Sequence, residues 1–168
     1  MVRNILIEGV DCGGKSTLAK ELKNRLNWDA AALTHKPGWQ FERYLSAYAT
    51  QPQTIFERGH VSEQVYSEVF NRDSPFSPTE RGVLDGIVAE TMLVILAIPD
   101  SDLARKRYGE RNGVLQVIAA EQLSDTNSRF AAYSGRYPNT IIYQSKDWDE
   151  LERLVARVQR ILSLAPSR

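Results

Sequence analysis

Cysteine is nearly absent from this sequence, which has a single one, Cys12. A lone thiol cannot form a disulfide within the chain, which fits a reducing compartment. Long apolar runs are also lacking. The longest, residues 92–98, is far below the roughly 20 residues that a membrane-spanning helix requires, and the N-terminal apolar stretch lacks the cleavage pattern of a signal peptide. We therefore expect a cytoplasmic protein that does not contact a membrane.

The sequence also lacks an excess of charge of either sign. It has 21 Lys and Arg residues against 21 Asp and Glu residues. Binding to a long nucleic acid requires several cationic contacts to phosphates, so this balance argues against a nucleic-acid partner. A local basic pocket for a small anion remains compatible with it. With no repeat and no linker in 168 residues, we predict one domain over residues 1–168.

Short apolar runs alternate with helical patterns along the chain. Five runs are predicted as strands, at residues 4–8, 31–35, 54–58, 92–98 and 140–144. Between them, apolar residues recur at the three- and four-residue spacing of amphipathic helices. Strands that alternate with helices are typical of an α/β protein with a parallel sheet covered on both faces. Ligands of such sheets bind beyond the carboxyl ends of the strands, so functional residues should directly follow strands.

Two helix starts are marked by capping residues. Ser77 precedes Pro78, with a glutamate at the third helical position, and Asp147 stands three residues before Glu150. The first of these helices is predicted to bury one face, formed by Val83, Leu84, Ile87 and Val88.

A glycine-rich turn, GVDCGGKS, follows the first strand and matches the P-loop pattern G-x-x-x-x-G-K-[ST] at residues 9–16. Its glycines let backbone N–H groups surround a phosphate without a side-chain clash, and the helix that follows directs its positive end at the same anion. Lys15 can reach the β- and γ-phosphates of a triphosphate, and the Ser16 hydroxyl can bind Mg²⁺. The predicted ATP-binding residues are Gly9, Asp11, Cys12, Gly13, Gly14, Lys15, Ser16 and Thr17.

Three further stretches carry charges or aromatic rings where phosphoryl transfer needs them. Glu57 and Arg58 end the third strand, where the carboxylate can order Mg²⁺ and the guanidinium can hold a phosphate. After the fourth strand, cations crowd one helix and the loop beyond it, and such a cluster can cover a transferring phosphoryl group. The residues predicted to be catalytic are the cations Lys15, Arg58, Arg105, Arg107 and Arg111 and the carboxylate Glu57.

After the second strand, the stretch HKPGWQFERY offers candidates for an acceptor site. Lys36 is placed to face the crevice, and Trp39 can supply a stacking surface. Phe41 has two readings, a stacking surface or a core position, and Arg43 is equally compatible with an acceptor phosphate and with a plain surface. The GTPase motifs D-x-x-G and N-K-x-D are missing from the expected places, so a small-molecule kinase is favoured over a GTP-dependent switch.

The order of these motifs resembles the thymidylate kinase and deoxynucleoside kinase branch of the P-loop kinases. IEGVDCGGKSTLAKEL is similar to E-G-x-D-G-x-G-K-S-T-x-x-x-x-L, and HKPG falls where thymidylate kinases carry Arg-Glu-Pro-Gly. ERGHVSEQVY is similar to D-R-Y-x-x-S-x-x-A-Y, with Glu57 in place of the aspartate and with Ser62 and Tyr66 at the family spacing. By that resemblance, Ser62 and Tyr66 join the candidate substrate-binding residues Lys36, Trp39, Phe41, Arg43 and Arg58.

The resemblance implies a three-layer α/β/α fold, with a five-stranded parallel sheet of order 2-3-1-4-5 and a short lid. It also implies ATP and Mg²⁺ as cofactors, with Ser16 and Glu57 at the metal, and a homodimer, as is common in that family. One departure bears on the acceptor, because Lys36 stands where deoxynucleoside kinases have a catalytic glutamate. A nucleoside hydroxyl would lack its base there, whereas a phosphate oxygen is already anionic and needs mainly positioning.

The sequence therefore predicts ATP-dependent phosphoryl transfer to a (deoxy)nucleoside monophosphate, a small-molecule acceptor. Two alternatives remain open at this point. One is a kinase that acts on a deoxynucleoside or on a modified base in DNA. The other is a nucleotide-binding switch without transfer activity.

Overall fold

A parallel sheet of five strands runs through the computed structural model, which describes residues 2–36, 38, 40–110 and 118–163. Every pair of neighbouring strands is parallel, and the spatial order is 2-3-1-4-5, which confirms the predicted sheet. The strands are β1 (Asn4–Gly9), β2 (Asp29–Ala32), β3 (Thr54–Glu57), β4 (Met92–Ala97) and β5 (Thr140–Tyr143). Because β1 lies between β3 and β4, the switch point of the sheet, where ligands bind in such folds, is at the carboxyl end of β1.

Helices cover both faces of this sheet, which confirms the three-layer α/β/α architecture. The described helices are α1 (Lys15–Leu26), α2 (Gln40–Thr50), α3 (His60–Val69), α4 (Pro78–Thr91), α5 (Ser101–Glu110), α6 (Leu123–Ala131) and α7 (Trp148–Ser163), with a single 3-10 turn at Ala120–Gln122. None of the helices within the described ranges is long and apolar enough to cross a membrane.

Two hydrophobic cores lie on opposite faces of the sheet. Leu6 of β1 packs into the core beneath α2, α3, α4 and α6, whereas its neighbours Ile5 and Ile7 pack into the core beneath α1 and α7. All three side chains are completely buried, as expected for the central strand of a parallel sheet that is covered on both faces. The rigid sheet thereby fixes the positions of the loops at its carboxyl edge.

Both predicted helix starts are confirmed. Ser77 and Glu80 form a reciprocal capping box at the start of α4, and the Glu150 N–H donates to Asp147 Oδ1 over 2.7 Å at the start of α7. One predicted burial is wrong, because Val83 of α4 is 42% exposed while Leu84 and Val88 are fully buried. Leu84 and Val88, four residues apart, lie on the same buried face of α4. Val83 precedes Leu84 by one residue, so its side chain projects from a different face of the helix.

The second strand is displaced from its predicted position. It spans Asp29–Ala32 rather than residues 31–35, since it pairs from Asp29 opposite Thr54 to Ala32 opposite Glu57, where β3 ends. One further backbone hydrogen bond, from Leu33 N to Glu57 O over 2.9 Å, closes the pairing. His35 therefore belongs to the segment between β2 and α2, at the carboxyl edge of the sheet.

Candidate active site

Residues 9–16, which we call the phosphate loop, run from the last residue of β1 to the first turn of α1 at the carboxyl end of β1. A side chain at Gly9 would collide with the carbonyl of Ala97 on β4, so only glycine lets the loop lie this close to the strand. Gly14 has a φ of 83°, in the left-handed region that glycine adopts without strain. The Gly13 N–H donates to Val10 O over 3.1 Å, which closes the turn before α1 begins.

Lys15 lies across this loop rather than in solvent. Its ammonium donates to the carbonyls of Gly9, at 2.9 Å, and Val10, at 2.7 Å, and its exposure is 5%. Burial, followed by the nearby charge of Arg58, lowers the pKa of Lys15 to about 8, although Asp11, Glu57 and Glu8 act in the opposite direction. The cation is therefore held at the inner face of the loop, where a phosphate would be surrounded by backbone N–H groups.

The end of β3 supplies two charged groups to the same loop. Glu57 Oε1 accepts a hydrogen bond from the Ser16 hydroxyl over 2.6 Å, and Arg58 Nη2 donates to Asp11 Oδ1 over 2.6 Å. Together with residues 11–17, Glu57 and Arg58 line a small cavity of about 80 Å³, which we call the phosphate cavity. The chain thus brings the predicted ATP-binding loop and the predicted Glu-Arg pair into one site.

Tyr66 of α3 extends this cluster. Its hydroxyl donates to Asp11 Oδ1 over 3.2 Å, and the Arg58 guanidinium lies 5.4 Å from the centre of its ring. The pKa of Arg58 is raised despite its burial, because Tyr66 and Asp11 favour the charged guanidinium. Arg58 is therefore a fixed cation between the loop and helix α3.

Glu8, the residue before the loop, is completely buried beneath it. Its carboxylate accepts hydrogen bonds from the hydroxyl and the backbone N–H of Ser62. Burial raises the pKa of Glu8 to about 7, against the opposing effects of Ser62, Lys15 and Arg58. This contact ties the end of β1 to the first turn of α3.

Ser16 and Glu57 provide oxygen atoms of the kind that Mg²⁺ prefers, a hydroxyl beside a carboxylate. Within the described residues, no group of three His, Cys, Asp or Glu side chains is arranged to hold a metal ion. The pair fits a magnesium ion that takes its remaining ligands from phosphate oxygens and water, as is usual at nucleotide sites.

A wide cleft of about 460 Å³ opens beside the loop, next to β5, and we call it the β5 cleft. Arg107 of α5 crosses it: its guanidinium donates to the hydroxyl and the carbonyl of Ser145, and at 3.5 Å to the carbonyl of Cys12. Trp148, at the start of α7, is 56% exposed and offers a flat apolar surface there. The lining residues from the last residue of β5 onwards are Tyr143, Ser145, Asp147, Trp148 and Leu151.

A second cavity, of about 330 Å³, lies on the other side of Arg58, and we call it the α3 cavity. Its lining combines apolar and aromatic side chains with polar and charged ones. The rings of Tyr66 and Phe70 are stacked, with centres 6.1 Å apart and planes 18° apart. The cavity is lined by Leu33, Thr34, His35, Arg58, Ser62, Glu63, Tyr66, Phe70 and Arg72.

Other predicted acceptor residues lie outside the lining of these cavities. Phe41 packs against the core, which matches the alternative reading for this residue, and Arg43 donates to the carbonyl of Thr34 over 2.6 Å while covering the Tyr44 ring. Lys36 is exposed between β2 and α2, and Arg105 is exposed on α5. Trp39 and Arg111 lie outside the described residues.

Several lining residues were not among the predicted site residues. His35 stands immediately before Lys36, and Glu63 immediately after Ser62, so both lie inside stretches that the sequence had marked. Ser145 and Asp147 directly follow β5, where the rule that ligands bind beyond strand ends could have found them. Phe70 and Arg72 carry no such signal, because they follow a helix rather than a strand.

Comparison with known proteins gives similarity of fold alone. No family model and no curated protein sequence matches the chain. Among solved structures, the YorR protein of Bacillus subtilis, in complex with phosphorylated GDP, matches with a TM-score of 0.77 and 17% identity, and 96% of each chain is covered. Deoxyadenosine kinase from M. mycoides with bound dCTP matches with a TM-score of 0.61 and 17% identity, over 94% of this chain and 99% of that one.

Kinases with other acceptors match about as well as the deoxyadenosine kinase does. Thymidylate kinase from Candida albicans has a TM-score of 0.61 at 14% identity, covering 96% of this chain and 91% of its own. Shikimate kinase from Acinetobacter baumannii and a gluconokinase from Sinorhizobium meliloti give TM-scores of 0.60 and 0.61. The chain therefore has the fold of the small-molecule P-loop kinases, and the thymidylate kinase-like branch is not singled out among them.

Proposed function

We propose that this protein transfers the γ-phosphoryl group of ATP to a (deoxy)nucleoside monophosphate. The observation that carries the proposal is the position of Arg58, which lines both the phosphate cavity and the α3 cavity. A phosphoryl group that passes from a donor in the first to an acceptor in the second would stay in contact with this guanidinium. Such a bridging cation stabilises the charge that spreads over the transferring oxygens.

On the donor side, the triphosphate lies in the loop against Lys15, and the adenine occupies the β5 cleft beside Trp148. Arg107 lies between the triphosphate position and the adenine position, because it contacts the Cys12 carbonyl in the loop and Ser145 in the β5 cleft. Ser16 and Glu57 would hold Mg²⁺, and the ion would supply positive charge that offsets the charge of the phosphates.

On the acceptor side, the α3 cavity offers Arg58 and Arg72 for a phosphate and Leu33, Tyr66 and Phe70 for a base. A monophosphate oxygen is already a nucleophile, so the site needs cations and correct placement more than a general base. The nucleotide complexes among the neighbours, such as YorR with phosphorylated GDP and deoxyadenosine kinase with dCTP, are consistent with a nucleotide site. The matching shikimate kinase and gluconokinase structures make an acceptor assay necessary.

The test is transfer from Mg-ATP to a panel of nucleosides, their monophosphates, shikimate, gluconate and a DNA duplex, with products separated by chromatography. We expect phosphorylation of a monophosphate. Lys15→Ala should abolish this transfer with an unchanged circular dichroism spectrum, whereas Lys20→Ala, on the exposed side of α1, should not affect it. Transfer to a nucleoside, to DNA or to a sugar would replace the proposed acceptor. ATP binding without any transfer would favour a nucleotide-dependent switch.

A further inference from the structure

The geometry of the α3 cavity points to guanine as the base of the acceptor, with Glu63 as the residue that recognises it. This inference rests on the proposed function, in which the α3 cavity holds the acceptor nucleotide. It adds the identity of the base, which neither the motifs nor the fold determines.

Glu63 is a nearly buried carboxylate in the lining of the α3 cavity, with a side-chain exposure of 5%. Its Oε1 accepts a hydrogen bond from the Tyr44 hydroxyl over 3.2 Å, and its Oε2 accepts one from His35 Nδ1 over 2.9 Å. Each carboxylate oxygen can accept about two hydrogen bonds, so each can accept one more besides the bond already made. A ligand in this cavity needs to supply hydrogen-bond donors to the Glu63 carboxylate, because a buried carboxylate with too few donors lowers the stability of the complex.

The two ends of the cavity differ in their partners. Arg58 and Tyr66 both contact Asp11 of the phosphate loop, so their end of the cavity faces the donor phosphates. Glu63 instead contacts His35, in the segment after β2, and Tyr44 of α2. A nucleotide whose phosphate lies at Arg58 would therefore have its base beside the Tyr66 ring, with the edge of the base towards Glu63, one turn before Tyr66 on α3.

Guanine is the standard base whose edge matches a carboxylate. Its N1–H and N2–H donors are adjacent and point the same way, so they can pair with the two oxygens of Glu63. Thymine and uracil present one N–H between two carbonyl oxygens, which a carboxylate repels. Adenine and cytosine present an amino donor beside a ring nitrogen acceptor, so one oxygen of Glu63 would face a lone pair. A site built to pair with donors rejects ligands that lack them, because its buried polar group is left unpaired.

The first experiment uses the unmodified protein. Values of kcat/KM are measured with Mg-ATP for dGMP, GMP, dIMP, dAMP, dCMP and dTMP, and equilibrium binding of the same six compounds is measured by calorimetry. We expect guanine to be preferred over adenine, cytosine and thymine by about 100-fold or more. The hypoxanthine of dIMP lacks only the 2-amino group, and losing that hydrogen bond to a carboxylate should weaken it about 10-fold or more relative to dGMP.

The second experiment changes the carboxylate. Glu63→Gln offers one donor and one acceptor, an arrangement that fits the N1 and N6 positions of adenine rather than guanine. We expect the ratio of kcat/KM for dGMP over dAMP to fall by about 100-fold in this variant. The matched control is Glu68→Gln on the same helix, where the glutamate is exposed and paired with Arg129 at 2.8 Å, and this ratio should not change. If Glu63→Gln does not fold, the comparison of dGMP with dIMP in the unmodified protein decides alone.

The outcomes separate this inference from the proposed function. A preference for dTMP, dCMP or dAMP, or equal use of dGMP and dIMP, overturns the guanine assignment and leaves the monophosphate kinase intact. Guanine-selective binding without transfer to any monophosphate supports the role of Glu63 and overturns the proposed reaction. Binding that does not distinguish the bases overturns the assignment whether or not transfer occurs.

Discussion

Arg58 Nη2 and Asp11 Oδ1 lie 2.6 Å apart, so the residue after β3 is locked onto the phosphate loop after β1. The backbone of Arg58 has a φ of 66°, in a region that non-glycine residues seldom adopt. The Arg58 N–H still bonds to Ile7 O, at 2.9 Å, so the strained conformation is held by the sheet itself. Strain of this kind is often kept where it serves a site, and here it places a guanidinium between two cavities.

Arg58→Lys should therefore lower kcat by about 100-fold or more, because an ammonium cannot bind Asp11 and a phosphate through one planar fork. The KM for ATP should change less, since Lys15 and the loop amides remain. Steady-state kinetics with both substrates measures this. Arg25→Lys, in a surface pair with Glu152, is the control and should retain full activity. A kcat for Arg58→Lys within about threefold of the unmodified protein would exclude a direct role for the guanidinium.

Ser16→Ala should raise the Mg²⁺ concentration needed for half-maximal activity by about 10-fold, because it removes one of two protein oxygens at the proposed metal position. The measurement is a Mg²⁺ titration at a fixed ATP concentration. Ser46→Ala, at an exposed position of α2, should leave the titration unchanged. An unaltered midpoint in Ser16→Ala would mean that the hydroxyl only holds Glu57 in place.

Arg107→Ala should lower kcat/KM for ATP by about 10- to 100-fold, since this side chain links the phosphate loop to the chain after β5. The acceptor KM should change little, because the α3 cavity does not include Arg107. Initial rates at varied ATP and at varied acceptor separate the two effects. Arg157→Ala, on the exposed side of α7, serves as the control. A defect confined to the acceptor KM would contradict the position given to the donor.

The elements that the sequence predicted well are those specified by local chemistry. The loop of residues 9–16 follows from glycines and a lysine at fixed spacing, and the buried runs of β1 and β4 need no tertiary information to be recognised. Glu57 and Arg58 were found because strand ends at one edge of a parallel sheet meet in space. The positions of the phosphate cavity and the α3 cavity next to that edge could be expected for the same reason.

What the sequence could not supply are the pairings made by distant segments. The bounds of β2 depend on where β3 ends, and a shift of a few residues moved His35 out of the predicted strand and next to Glu63. Phe41 had the spacing of both a core residue and a ligand residue, and only packing distinguishes the two. Glu63 was visible in a marked stretch, but its burial beside Tyr44 is a property of the assembled fold.

Glu8→Gln should change the pH dependence of stability in a defined direction. Because burial raises the pKa of Glu8 from 4.5 to about 7, the folded state binds more protons than the unfolded state between these values. The free energy of unfolding contributed by Glu8 is therefore highest below pH 4.5 and falls as the pH rises through about 7. The variant lacks this titration, so its stability relative to the unmodified protein should rise across that interval by up to about 3 kcal/mol. Urea unfolding from pH 5 to 8 measures the difference, and parallel curves for the two proteins would contradict a raised pKa.

Asp85→Asn should destabilise the fold through a residue that lines none of the three proposed substrate cavities. Asp85 accepts hydrogen bonds from His60 Nε2 at 3.1 Å, from the Tyr137 hydroxyl at 2.5 Å and from the Arg136 guanidinium. Burial alone would raise the pKa of Asp85, but these three donors outweigh it and hold the pKa well below its usual value. The amide of an asparagine would accept fewer hydrogen bonds from these donors. His60 would then remain buried without its charged partner.

The expected loss in the free energy of unfolding for Asp85→Asn is about 2–4 kcal/mol at pH 7, measured by urea unfolding. The sign with pH follows from the lowered pKa: the contribution of Asp85 is present above its unfolded value of 3.8 and is lost as the pH falls further, so the gap to the variant should narrow in acid. Asp125→Asn breaks an exposed pair with Arg129 and should cost no more than about 0.5 kcal/mol. Equal losses in the two variants would mean that the buried cluster around His60 adds nothing beyond a surface ion pair.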